Sequence, residues 1–315
     1  MRRLILRRLA FMVPTLLIVS FLVFLMAEVV PGDVGRSILG PYASPAQVAA
    51  LDHKLGVDQP FVSRYAHWVG DFVIGRWGES PVLAQPVLQL TFRRLANSLL
   101  LAAIALVIIV PTSVVLGVLA ALRSDGVLDR VISVTSLSLT VIPEFVSGVV
   151  LLVVLAVELH VFPVTAQPPP GSGIFTHIYY LLLPAIPLMF VEMGYIARMA
   201  RAGTLEVLDM PYTRTAILKG LPPRWIISRH VLRNALLPTV TVIGNQIGWL
   251  VGGLVVVETL FNYPGIGKLM VDSATLHDVK VLEATVLVVA VIFMLSNLTA
   301  DVIVALLNPR VRLAR

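Results

Sequence analysis

The sequence of 315 residues contains no cysteine, only 13% charged residues and only 7% aromatics. Without cysteine there are no disulfide-stapled folds, no thiolate catalysis and no cysteine-based metal sites. A soluble domain carries about 25% charged residues, so this chain has too little polar surface for a water-soluble globule of its size. It is instead 57% hydrophobic, with a mean hydropathy of +0.91. That composition describes an all-α, polytopic membrane protein. The net charge of +6 raises the question of nucleic acid, which the placement of the charges answers.

Apolar runs long enough to cross a bilayer as helices occur at roughly Leu9–Val30, Asn97–Leu122, Val131–Val157, Leu181–Ala200, Leu236–Val257 and Leu282–Leu306. Arg2, Arg3, Arg7 and Arg8 precede the first run as in a signal peptide. The run is longer than a signal core, however, and Phe-Leu-Met-Ala before Glu28 is a poor cleavage site. We read it as an uncleaved anchor. With both termini in the cytoplasm, Arg123, Arg130, Arg198, Arg201, Arg214, Lys219, Arg224, Arg229, Arg233, Arg310, Arg312 and Arg315 join the basic start on the inner side, as the positive-inside rule requires. Orientation therefore accounts for the basic excess, and no nucleic-acid partner is needed.

Three regions follow: 1–30 (cytoplasmic start and first span), 31–96 (an extracytoplasmic helical segment) and 97–315 (a core of five spans). Within 31–96, Ser44-Pro45-Ala46-Gln47 reads as a capping box with proline at the first helical position, opening a helix that Gly56 stops. Phe61, Tyr65, Trp68, Val69 and Phe72 then share one helical face, which we read as a cap packed on the membrane domain and, in part, as a docking surface for an external partner. Within the core, the cytoplasmic stretch 201–235 reads as helix, glycine turn, helix. Gly220 ends the first helix and Pro222-Pro223 opens a second, short one. A basic elbow of this kind, with an apolar face, fits protein docking better than a plain loop.

These residues resemble a known family. Glu206-Val207-Leu208, Tyr212-Thr213-Arg214-Thr215-Ala216, Lys219-Gly220-Leu221 and Arg229 through Pro238 are similar to the EAA loop of ABC importer permeases, more narrowly the dipeptide/oligopeptide permeases of the DppB/OppB type. Pro31-Gly32-Asp33, Leu55 through Pro60, Ile142-Pro143, Leu183-Pro184-Ala185, Val257 through Phe261, Tyr263 through Gly267, Asn297-Leu298 and Asn308-Pro309-Arg310 follow in family order.

The resemblance implies a six-span, type I importer permease of the bacterial inner membrane. Its partners are a second homologous permease, two cytoplasmic ATPases and an extracytoplasmic binding protein. It also implies that the elbow is a coupling helix, with Glu206, Tyr212, Arg214, Thr215, Ala216, Lys219, Gly220, Leu221 and Arg224 engaging an ATPase. This chain departs from the family's Ala-Arg-Ala-Lys-Gly with Ala216-Ile217-Leu218-Lys219-Gly220, which makes the interface more apolar. Peptides are the leading cargo, with a metal chelate, glutathione or haem as alternatives.

The chain has no ATPase site of its own. A phosphate-binding loop needs a second glycine, lysine and Ser or Thr at fixed spacing, and Gly267-Lys268 has Asn262 and Leu269 where Gly and Ser/Thr belong. No cofactor is expected here; ATP and Mg belong to partner subunits. The two halves show no inverted repeat of the secondary-transporter kind. Ser147 has no histidine in a span to act as its base, so an intramembrane hydrolase is also disfavoured.

Polar residues in the spans mark the path. Glu144 costs roughly 2.5–3.5 kcal/mol on the insertion scale and follows Pro143, a kink former. We read Pro143, Glu144, Asn245 and Gln246 as path-lining, with Glu144 favouring a cationic group such as a peptide amino terminus. Glu192 poses the same question, and Arg198 lies too far along the helix to pair with it. Gly244, Gly248 and Gly252 at four-residue spacing read as a helix-packing stripe. Asn297 and Asp301 read as packing groups near the cytoplasmic end. Glu258, Phe261, Pro264, Gly265 and Gly267 read as a bent gate loop at the external mouth.

Overall fold

A computed structural model describes residues 2–29, 42–48 and 59–307. Among these residues the chain is helical, apart from one isolated bridge between Glu79 and Pro86. The elements are α1 (Arg2–Val29), α2 (Phe61–Val73), α3 (Val87–Leu122) and α4 (Val127–Val141), then α5 (Glu144–Glu158). They continue as α6 (Ile174–Leu208) and α7 (Pro211–Leu218), α8 (Pro223–Leu260), and α9 (Ile266–Thr275) and α10 (Val279–Leu307). The motifs at Pro31–Asp33, Leu55–Asp58 and Asn308–Arg310, and the helix stop at Gly56, lie outside the described residues.

Five of these helices, α1, α3, α6, α8 and α10, are long and apolar enough to cross a membrane. The predicted third span is not one helix. It is the pair α4 and α5, bent by 102° at the break. Pro143 lacks an N–H and crowds the residue before it out of the helical region, and Ile142 is accordingly extended at φ −77°, ψ 120°. A kink was predicted here, and the chain makes a corner. The expected short second helix of the elbow is also revised. Pro222-Pro223 does open a helix, but that helix runs through a π-helical turn at Ile226–Val231 straight into the fifth span. No glycine or proline stands between Pro223 and Pro238 to stop it. α3 likewise begins at Val87 rather than Asn97, because Val87, Leu90 and Thr91 are already buried.

α6 is the hub. The main core joins Leu101, Ala105 and Ile109 of α3 to Leu183, Leu188 and Ile196 of α6 and Leu250, Leu254 and Val257 of α8. Lipid is as apolar as leucine, so close packing rather than escape from water holds these helices together. Small residues allow the approach: Gly117 meets Ala197 and Ala200, Gly194 meets Ser136 and Thr140, and Gly203 meets Ala235.

The bundle has an elbow end, where α6 passes to α7 and α8, and an opposite end. α4 starts at the elbow end, where Asp129 forms a two-pronged ion pair with Arg201 at 2.6 Å per contact. α5 carries the chain toward the opposite end, where Gly148 packs against Leu260 and Phe261.

α1 lies at the periphery. Its Arg8 pairs with Asp301 of α10 at 2.7 Å, and Phe21 and Phe24 pack edge-on to Phe61 and Tyr65 of α2. Tyr65 Oη and Ser20 Oγ are 2.7 Å apart. The aromatic face of α2 thus packs on α1 in the manner of a cap, while none of its residues is fully buried. The ladder continues through Trp68, Phe72 and Trp77 to Phe92 of α3. The capping box is present: Ser44 N–H donates to Gln47 Oε1 at 3.0 Å and Gln47 N–H to Ser44 Oγ at 3.3 Å.

Candidate coupling elbow and translocation path

The elbow is built from its turns outward. Pro211 occupies the first turn of α7, where a missing N–H costs nothing. Thr213 is buried and donates its hydroxyl to the Val207 carbonyl at 2.8 Å, tying α7 to the end of α6. α7 ends in a Schellman motif: Gly220 N–H donates to Ile217 O at 2.9 Å and Leu221 N–H to Ala216 O at 3.3 Å. Gly220 sits at φ +72°, where a side chain would be strained. Val207, Ala216, Ile226, Val231 and Ala235 close a small core beneath the turn.

What projects is apolar and basic together. Tyr212, Ile217, Leu218, Leu221 and Trp225 are exposed, Leu218 to 87%, beside Arg214, Lys219 and Arg224. The predicted coupling residues therefore share one protrusion, with Glu206 exposed on the last turns of α6 and Ala216 turned into its core.

The predicted path residues divide. Glu144 opens α5, and its Oε1 lies 4.0 Å from where a Cβ on Gly253 of α8 would stand. Glu192 on α6 is 5% exposed and has Gln246 of α8 as its polar neighbour, with Glu144 within electrostatic range. Gln246 and Glu144 thus converge on Glu192, which Arg198 does not reach; Arg198 lies over the Tyr195 ring instead. Asn245 turns away, into a cavity of about 280 Å³ shared with Arg8, Thr15, Asn297 and Asp301. It belongs to the seam between α1, α8 and α10. The glycine stripe also divides: Gly244 packs on Ala300 and Gly248 on Asn297 and Phe293, whereas Gly252 has nothing within 4 Å among the described residues.

At the opposite end, Glu258 is fully buried and organises the Tyr263–Gly267 turn. It accepts from Ser98 Oγ, from Gly267 N–H at 2.8 Å and from Lys268 N–H at 3.1 Å. A carboxylate thereby caps the N-terminus of α9, where unpaired N–H groups and the helix dipole favour negative charge. A Cβ on Gly265 would collide with the Glu258 carboxyl, and one on Gly267 would meet Val255 Cα at 2.6 Å. Asn97 donates to Pro264 O at 2.8 Å, Tyr263 Oη donates to Asn97 O at 3.0 Å, and Ala166 N–H donates to Phe261 O at 2.9 Å. Burial pushes the Tyr263 phenol pKa up. Reading the sequence found this turn but missed Asn97 and Ser98, whose partners lie far along the chain. It also treated Arg201 only as an inside charge and overlooked Asp129.

Residues 113–313 match the family described as the binding-protein-dependent transport system inner membrane component, and residues 1–116 match its N-terminal companion. The chain belongs to this family. It is 35% identical over 308 residues to the probable peptide ABC transporter permease protein y4tP of Sinorhizobium fredii, covering 98% of both chains. It is 36% identical over 308 residues, again with 98% coverage of each, to the glutathione transport system permease protein GsiC of Escherichia coli K12 and of Shigella dysenteriae. The protein is therefore a multi-pass inner-membrane permease of the ABC importer class, from a system that also includes a substrate-binding protein and ATPases.

Proposed function

We propose that this chain, paired with a second homologous permease, forms the path by which an ATP-driven importer brings peptides across the inner membrane. Both termini and the elbow lie in the cytoplasm. The elbow receives the ATPases, which hold ATP and Mg, and the chain itself catalyses no reaction. The observation that carries this reading is the elbow. A protrusion closed by a Schellman motif, with exposed leucine and arginine side by side, is continuous with one span and hydrogen-bonded to the other. Such a lever converts closure of paired ATPases into movement of membrane helices. Peptide cargo is supported by the names of two relatives, one a peptide permease and one a permease for glutathione, itself a tripeptide.

The test is purification of the tagged chain with its native partners, followed by mass spectrometry and ATP-hydrolysis measurements. Leu218→Asp changes a side chain that is 87% exposed, so folding should survive. Loss of a central contact of this kind should cut ATPase retention by about tenfold or more while a second permease still co-purifies. Full retention of the ATPase by Leu218→Asp and by Arg224→Glu would overturn the assignment.

A further inference from the structure

The corner between α4 and α5 brings two carboxyl groups together without a counter-charge. Gly253, beside Glu144 Oε1, also faces Leu188 of α6. Leu188 is one turn from Glu192 on α6, so Glu144 and Glu192 are set about a turn apart along the same seam. Neither makes an ion pair with a basic side chain among the described residues. Glu192 Oε2 is buried and has no hydrogen-bond partner, a costly condition for a carboxyl group in a membrane protein.

The corner adds to this. Glu144 occupies the first turn of α5, where the unpaired N–H groups of the helix begin. The C-terminus of α4, with carbonyls left without helical partners, lies on the other side of the break. The α5 N-terminus thus offers donors to Glu144, while Glu192 on α6 has only the Gln246 amide as its polar neighbour, a group that offers one donor side and one acceptor.

We infer that Glu144 and Glu192, with Gln246, form a subsite for a cationic group, in the first place a primary ammonium. The inference rests on the path assignment above and extends it: the subsite recognises a free amino terminus on passing cargo. An ammonium has three donors and no acceptor, which suits two carboxyl groups and an amide oxygen on three helices. Glu144 is half-buried and reachable, while Glu192 forms the closed floor.

The experiment uses the full-length chain, with its native partners, in lipid nanodiscs. Dicyclohexylcarbodiimide, which enters membranes and modifies protonated carboxyl groups, is applied with ethylammonium chloride or, as control, sodium chloride, and the modified residues are identified by mass spectrometry. Ethylammonium at ten times its dissociation constant should slow modification of Glu192 by about tenfold. Glu144→Gln should abolish that protection while Glu192 remains modifiable. Equal rates in the two salts, or no modification of either glutamate, would overturn the subsite.

A second arm measures uptake of Ala-Ala against N-acetyl-Ala-Ala by cells carrying the whole transporter. Preference for the free amine should be lost in Glu192→Gln. If wild-type cells take up neither peptide yet ethylammonium still protects, the peptide reading fails and the cation subsite stands.

Discussion

Glu258 collects a hydroxyl and two backbone N–H groups in a place closed to water. Glu258→Leu strands the Gly267 and Lys268 N–H groups, while Ser98 Oγ keeps the Arg94 carbonyl at 3.3 Å, and each buried orphan costs about 1–3 kcal/mol. The variant should melt well below the parent when tryptophan fluorescence is followed during heating in detergent. Glu258→Gln, which keeps one acceptor oxygen, should fall in between. Gly265→Ala should resemble Glu258→Leu more than a usual surface change, since the added methyl meets that same carboxyl. A wild-type melting curve for Gly265→Ala would refute this account of the turn.

Among the elements, the elbow turn and the break between α4 and α5 each hinge on one residue. Gly220→Ala places a side chain at φ +72°, a strain of roughly 1 kcal/mol. Because Gly220 itself has open space around it, the variant should assemble but couple poorly, with substrate-stimulated ATP hydrolysis reduced and basal hydrolysis retained. Pro143→Ala restores an N–H and frees Ile142 to turn helical, so the corner should relax. Spin labels on cysteines introduced at exposed Val134 and Val154 should then move apart, and unchanged distances would show that packing alone holds the bend. The chain's lack of cysteine makes such labelling unambiguous.

How far these elements were legible depends on range. The elbow turn was readable because Gly220 and Pro222-Pro223 act locally, and the apolar runs located the spans for the same reason. The corner was underestimated because Pro143 fixes only that the helix breaks, and the angle depends on packing against α6. The merging of Pro223–Trp225 into the fifth span was missed because a polar, basic surface was taken for a separate element. Asn245 and Gln246 were assigned together although neighbours on a helix diverge by about 100°, and the structure sends them to different seams.

For the whole molecule, the consequence of the broken pair is one of parity. α4 departs from the end that holds Arg201, and α5 delivers the chain to the end that holds Leu260, so we read the pair as a single traverse. Counted as one broken span beside the five long apolar helices, it brings the number to six, and an even number returns a chain to the face it left. A re-entrant hairpin would have made the number odd and parted the two ends. Arg8 and Asp301, paired at 2.7 Å, already sit side by side. Single cysteines introduced at exposed Leu6 and Leu306 should therefore react with a membrane-impermeant maleimide in vesicles of one orientation and both be shielded in the other. Reporter proteins fused to either end should likewise share a compartment.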